Sequence, residues 1–133
     1  TVSADRWKVE ADGDFAQSAG GGNLVFSIAG KGVRDTVETV SGAGTVQADA
    51  LQSTKTIVNI TGGANNSGVK VLATIPIGGM QIFYNANASN TINLYPAVGH
   101  SIFKGLVDTA VPLTPGLTVA LFGVSSTDWA LIA

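Results

Sequence analysis

Short runs of Val, Ile, Leu, Thr and aromatic residues recur along the chain, each bounded by clusters of Gly, Asn, Pro or Ser. Branched and aromatic side chains suit a pleated surface, and the bounding residues supply the backbone freedom of turns. The pattern predicts strands over 23–28, 35–40, 54–61, 69–75, 80–85, 91–95, 101–103, 117–124 and 129–132. Helical periodicity is almost absent, and only 47–51 allows a single turn. The expectation is an all-β fold, a compact antiparallel β-sandwich or barrel-like domain with an extended N-terminal arm.

The breaks between runs are readable. The segment 62–68, GGANNSG, is a loop, because Gly and Asn tolerate positive φ and Asn bonds its own backbone. The segment 85–90, NANASN, reads as a hairpin connection. Pro96, Pro112 and Pro115 are expected at strand edges, where a missing N–H removes no ladder bond. Runs such as IVNI, QIFYN, INLY and LTVALFGV alternate only loosely between apolar and polar residues. A strand with one face in water alternates cleanly, so these runs imply that both faces are covered, by a second sheet or by another subunit.

The N-terminal part has a different character. Residues 1–38 hold ten of the sixteen charged side chains, and DRWKVEADGD interleaves charge with apolar residues before the flexible SAGGG at 18–22. Two readings stand: residues 1–22 form an arm and Gly-rich linker ahead of a β domain at 23–133, or they supply a first strand of that same domain. In the arm reading Trp7 is the natural anchor, since one aromatic ring buries a large area at low entropic cost.

Charge then narrows the function classes. From Thr39 onward the charged residues are Asp49, Lys55, Lys70, Lys104, Asp108 and Asp128. A small body with so few charges suggests a surface covered by a partner, and self-association is the favoured cover. Formal net charge is −2 with a pI near 5.0, which gives no electrostatic footprint for nucleic acid or an acidic membrane. Cysteine is absent, which excludes disulfides, thiolate nucleophiles and cysteine metal cages. TVSADRWKVEADGD carries charge where a signal peptide has its apolar stretch, and a start at Thr1 fits loss of an initiator methionine. The most apolar tail is broken by Ser125, Ser126, Thr127 and Asp128, so a soluble chain is expected.

Candidate chemistry is sparse. His100, the single histidine, stands in AVGHSIF without a nucleophile or carboxylate at a recognisable spacing, so a loop role outweighs a general-base role. Glu10, Asp12 and Asp14 alternate, but lack the frame and terminal bidentate Glu of a calcium loop and read as a solvated face. Gly42-Ala43-Gly44 and Gly20-Gly21-Gly22 lack a following helix and Lys-Ser/Thr, and read as turns. Asp108 and Asp128 are the acids after Asp49, and nothing in the sequence links them as a hydrolytic pair. No catalytic, cofactor or metal residue is assigned, and the chain is read as a non-enzyme. Tyr84 and Tyr95 flank the loop 85–90, and with Asn87 and Asn90 they are the candidate contacts for an outward-facing glycan site.

The segments SGAGTVQADALQSTKTIVNITGG and ATIPIGGMQIFYNANASNTINLYPAVGHSIFKGLVDTAVPLTPGLTVALFGVSSTDWALIA together resemble a β domain of tailed-phage structural proteins. The matching positions are Gly44, Gln47, Ala48, Ala50, Leu51, Gly79, Asn85, Asn93, Tyr95, Pro96, Gly99, Ile102, Gly105, Pro115, Gly116 and Trp129. Phe103-Lys104 departs from the small polar pair often found before the last of the loop glycines. The resemblance implies a capsid decoration (cement) protein: a homotrimer at three-fold positions on the outer surface of the head, made in the bacterial host cytoplasm, with the major capsid protein as partner. Neither nucleic acid nor membrane is expected as a partner, and no cofactor. On this reading the arm grips the capsid lattice, with Val2, Arg6, Trp7 and Val9 as contacts. The alternative is a tail-tip or head-fibre module binding host-surface glycans.

Overall fold

A computed structural model describes residues 7–9, 15–17, 37–74, 77–103 and 106–132. The chain divides into two units, Thr1–Val33 and Arg34–Ala133. In the first, β1 (Trp7–Val9) pairs antiparallel with β2 (Phe15–Gln17), placing Trp7 opposite Gln17 and Val9 opposite Phe15. Val2, Arg6 and the strand expected over 23–28 lie outside the described residues.

The second unit is all-β, without a helix among the described residues. Its strands are β3 (Val37–Ser41), β4 (Leu51–Gln52), β5 (Ile57–Gly62), β6 (Gly68–Lys70), β7 (Met80–Asn85), β8 (Ile92–Tyr95), β9 (Ser101–Ile102), β10 (Val111–Leu113), β11 (Thr118–Gly123) and β12 (Asp128–Ile132). A six-stranded sheet runs β3-β5-β7-β11-β12-β9, and a four-stranded sheet runs β10-β8-β6-β4. Successive strands from β3 to β8 therefore alternate between the sheets, and each returns in the same direction as the strand it pairs with.

The antiparallel expectation needs correction. Strands β3, β5 and β7 are mutually parallel, as are β4, β6 and β8, and β9 is parallel to β12. Among the described residues of this unit the antiparallel ladders are β7–β11, β11–β12 and β8–β10, with one isolated antiparallel bridge between Ala43 and Gly68. The reason is that connections between successive strands, the one read as a hairpin among them, cross between sheets. Segment 85–90 leads from β7 in one sheet to β8 in the other, and Pro115-Gly116 leads from β10 to β11 in the same way. Pro115-Gly116 nevertheless forms a tight turn: Leu117 N–H donates to the Thr114 carbonyl at 3.1 Å, and Gly116 takes φ of 75°. A turn fixes local direction and leaves the choice of partner strand to the side chains beyond it.

Both sheets turn one face to a common core. Val58, Ile60, Phe83, Val119, Leu121, Ile102 and Trp129 enter it from the six-stranded sheet, and Val69, Ile92, Leu94 and Leu113 from the four-stranded sheet. Two polar side chains of β7 are fully buried with them. Gln81 donates to Ser53 Oγ at 2.8 Å and to the Lys55 carbonyl at 2.9 Å, and its Oε1 accepts from Leu72 N–H at 3.0 Å. Asn85 donates to the carbonyls of Leu113 (2.8 Å) and Asn90 (3.0 Å) and accepts from Asn87 N–H. These amides satisfy backbone groups of irregular segments and, at Leu113, of the edge strand β10, and a polar group is kept in a core when it is paired in this way.

Candidate functional site

The outward faces of the two sheets differ sharply. On the four-stranded sheet the outward positions are Gly68, Asn93 and Pro112 in one row and Gln52, Lys70 and Tyr95 in the next. The segment 42–50 covers part of this face. Tyr95 Oη donates to the Thr45 carbonyl at 2.9 Å, and a Cβ built on Gly68 would stand 2.6 Å from Ala50 Cβ and 2.8 Å from the Tyr95 ring. Only glycine permits that close approach.

On the six-stranded sheet register brings a row of apolar residues across five strands: Val37, Ile57, Ile82, Ala120 and Ile132. A second row holds Met80, Phe122 and Ala130, and a third holds Thr39, Asn59, Tyr84 and Thr118. Among the described residues these rows contain no charge. Lys55 precedes β5 at the margin, and Asp128 opens β12. Val37, Ile132 and Met80 expose 57%, 58% and 44% of their surface, and the remaining apolar members are half-buried by their neighbours. Scattered exposed apolar residues are ordinary on a protein surface, whereas a contiguous apolar patch larger than a few hundred Å² is a candidate contact surface.

Next to this face, around Trp129, lie two concavities. One, of about 540 Å³, is walled by Phe103, Val124, Asp128, Trp129, Ala130 and Leu131. The other, of about 400 Å³, includes His100, Ser125, Ser126 and Trp129 in its lining. Asp128 here is occupied structurally. It accepts from Ser101 Oγ at 2.5 Å and Ser125 Oγ at 2.8 Å, which holds its carboxyl below the ordinary carboxylate range and ties β9 to the β11–β12 turn. Asp108 is likewise lowered, first by the hydrogen bond from Gln47 Nε2 and then by that from Gly99 N–H. Neither carboxylate makes a hydrogen bond to His100, and no cluster of three metal-ligating side chains occurs among the described residues.

The residues proposed for a glycan site are not gathered together. Tyr84 is exposed on the outer face of the six-stranded sheet, and Tyr95 is buried on the four-stranded sheet beneath segment 42–50. Asn87 Nδ2 and Asn90 Nδ2 both donate to the Gly63 carbonyl, at 3.2 and 2.9 Å, and Asn87 Oδ1 accepts from the amides of Ser89 and Asn90. The Asn-rich loop thus spends its side chains on folding itself. Trp7 and Val9 lie on β1, whose backbone pairing with β2 is the structure they have.

What sequence reading missed was the location of the apolar face. Its signal was present in the loosely alternating runs, which implied cover on both sides. The row itself joins residues far apart in the chain, and only register reveals it.

Neither a protein-family model, nor a curated protein, nor a solved structure matches this chain.

Proposed function

We propose that this chain is a non-enzymatic structural component of a tailed-phage virion: a capsid decoration protein that self-associates as a homotrimer on the outer surface of the head and stabilises the shell. The observation that carries the reading is the uncharged apolar face of the six-stranded sheet, on a body with six charged residues after Glu38. Such a body gains by burying surface against other subunits. In this reading the two sheets form a sandwich around their shared core. The charged N-terminal unit, Thr1–Val33, contacts the major capsid protein, and each weak contact is multiplied by repetition over a symmetric lattice.

The experiment is co-sedimentation of the purified chain with phage heads stripped of their decoration. The expected result is saturable binding together with greater resistance of the heads to heat. A chain that stays in the supernatant at every ratio of protein to heads would overturn the reading.

A further inference from the structure

We propose that the outer face of the six-stranded sheet is the self-association surface, and that its occupant is the same face of further copies of this chain. The inference rests on the self-associating virion reading above and assigns a surface to it. In the trimer three such faces close around a common axis, with Ile57, Ile82 and Ala120 at the centre of each face and Met80, Phe122 and Ala130 beside them.

Charge selects this occupant. The three rows are uncharged among the described residues, so like faces meet without repulsion and without burying an unpaired ion. The N-terminal unit is a poorer match, since residues 1–33 hold seven of the sixteen charges. The outward rows of the four-stranded sheet include Lys70 and Asn93 and lie partly under segment 42–50.

Size is consistent with the same occupant. The twelve positions of the three rows, on strands ~4.8 Å apart and with rows ~6.6 Å apart, give a face on the order of 400 Å² in plan. The accessible area of a ridged surface exceeds its plan area, and Val124 extends the rim, which gives a face smaller than the ~800 Å² each partner contributes to a standard interface. An interface of that size with few polar contacts is expected to dissociate on dilution.

The test is the solution mass of the full chain across a concentration series, for the wild type and for Met80→Lys, Ile132→Lys and Val98→Lys. Met80 and Ile132 are exposed enough for lysine to leave the fold intact, which circular dichroism verifies, and Val98 is an exposed apolar residue on the loop between β8 and β9, outside the three rows. The expected result is association of the wild type and of Val98→Lys, with the dissociation constant raised at least ~10-fold in each face variant. Unchanged association of both face variants would overturn the inference and leave the virion reading standing. A wild type monomeric at every concentration would also overturn it. A dimer disrupted by the face variants would support the face and overturn the trimer. Head binding, measured separately, decides the virion reading.

Discussion

Ile82 and Leu121 lie on adjacent strands and point in opposite directions. Ile82 pairs with Ala120 on the outer face, and Leu121 pairs with Gln81 on the core side. Leu121→Asp places a charge in a core where the native side chain is fully buried, at a cost of several kcal/mol, a large share of the ~5–15 kcal/mol that holds a domain folded. It is expected to abolish the cooperative thermal transition. Ile82→Asp is expected to keep the fold and reduce the associated mass. Melting curves and light scattering on both variants separate the two effects.

Gln81→Leu tests the buried amide. The substitution leaves Leu72 N–H and the Lys55 carbonyl without their side-chain partner, and each orphaned backbone group costs about 1–3 kcal/mol. A fall in Tm on the order of 10 °C or more is expected by calorimetry. A variant as stable as the wild type would mean that these groups find other partners.

Gly63 and Ser67 call for opposite outcomes. Ser67 Oγ is buried without a hydrogen-bond partner, so Ser67→Ala is expected to change stability by less than ~1 kcal/mol. Gly63 has φ of 118°, and a Cβ there would stand 2.5 Å from Ser67 Oγ and 2.9 Å from Gly42 N. Gly63→Ala is expected to destabilise by about 1–3 kcal/mol, and adding Ser67→Ala does not restore it, because the strained φ and the backbone clash remain. Urea denaturation of the two single variants and the double variant checks this.

Acid sensitivity follows from Asp108 and Asp128. Both carboxyls are held below their ordinary value in the folded chain, so the stability they contribute is present above that value and declines as pH falls through the folded pKa. Stability is expected to be level near neutrality and to drop below about pH 4. Asp128→Asn, which keeps the shape of the latch to Ser101 and Ser125, is expected to flatten part of that drop. An unaltered acid limb in this variant would assign the effect to other carboxylates.

Much of the fold was legible because strand propensity and turn chemistry are local. The strand at Met80–Asn85 has the expected limits, and those at Ile92–Tyr95, Thr118–Gly123 and Asp128–Ile132 lie within a residue of them. The run 69–75 shrank to Gly68–Lys70. Leu51–Gln52 was too short to register, although the single turn expected beside it exists, with Ala50 N–H donating to the Val46 carbonyl at 3.1 Å. Val111–Leu113 was hidden by Pro112, which the structure tolerates because β10 is the outermost strand of its sheet. Pairing direction was not legible, since a loop that crosses between sheets uses the same Gly and Asn residues as one that reverses within a sheet. For the same reason the loop at 85–90 resembled an exposed recognition loop, while Asn87 and Asn90 both donate to the Gly63 carbonyl.

The alternation of strands between the sheets also bears on how the body acquires its structure. Among the described residues of Arg34–Ala133, β11 and β12 are the sole paired strands that are neighbours in the chain. Every other ladder joins residues 17 to 42 apart in the chain, from Leu94↔Val111 to Met80↔Phe122, with the entropic cost of closing that loop met before any contact repays it. Refolding is therefore expected on the millisecond-to-second scale typical of β topologies, which stopped-flow fluorescence of Trp129 would time. During synthesis β3 to β8 leave the ribosome before the β11–β12 hairpin that gives β7 its second neighbour. Their apolar rows stay open to misassociation until that hairpin arrives, so slow translation would favour aggregation over assembly.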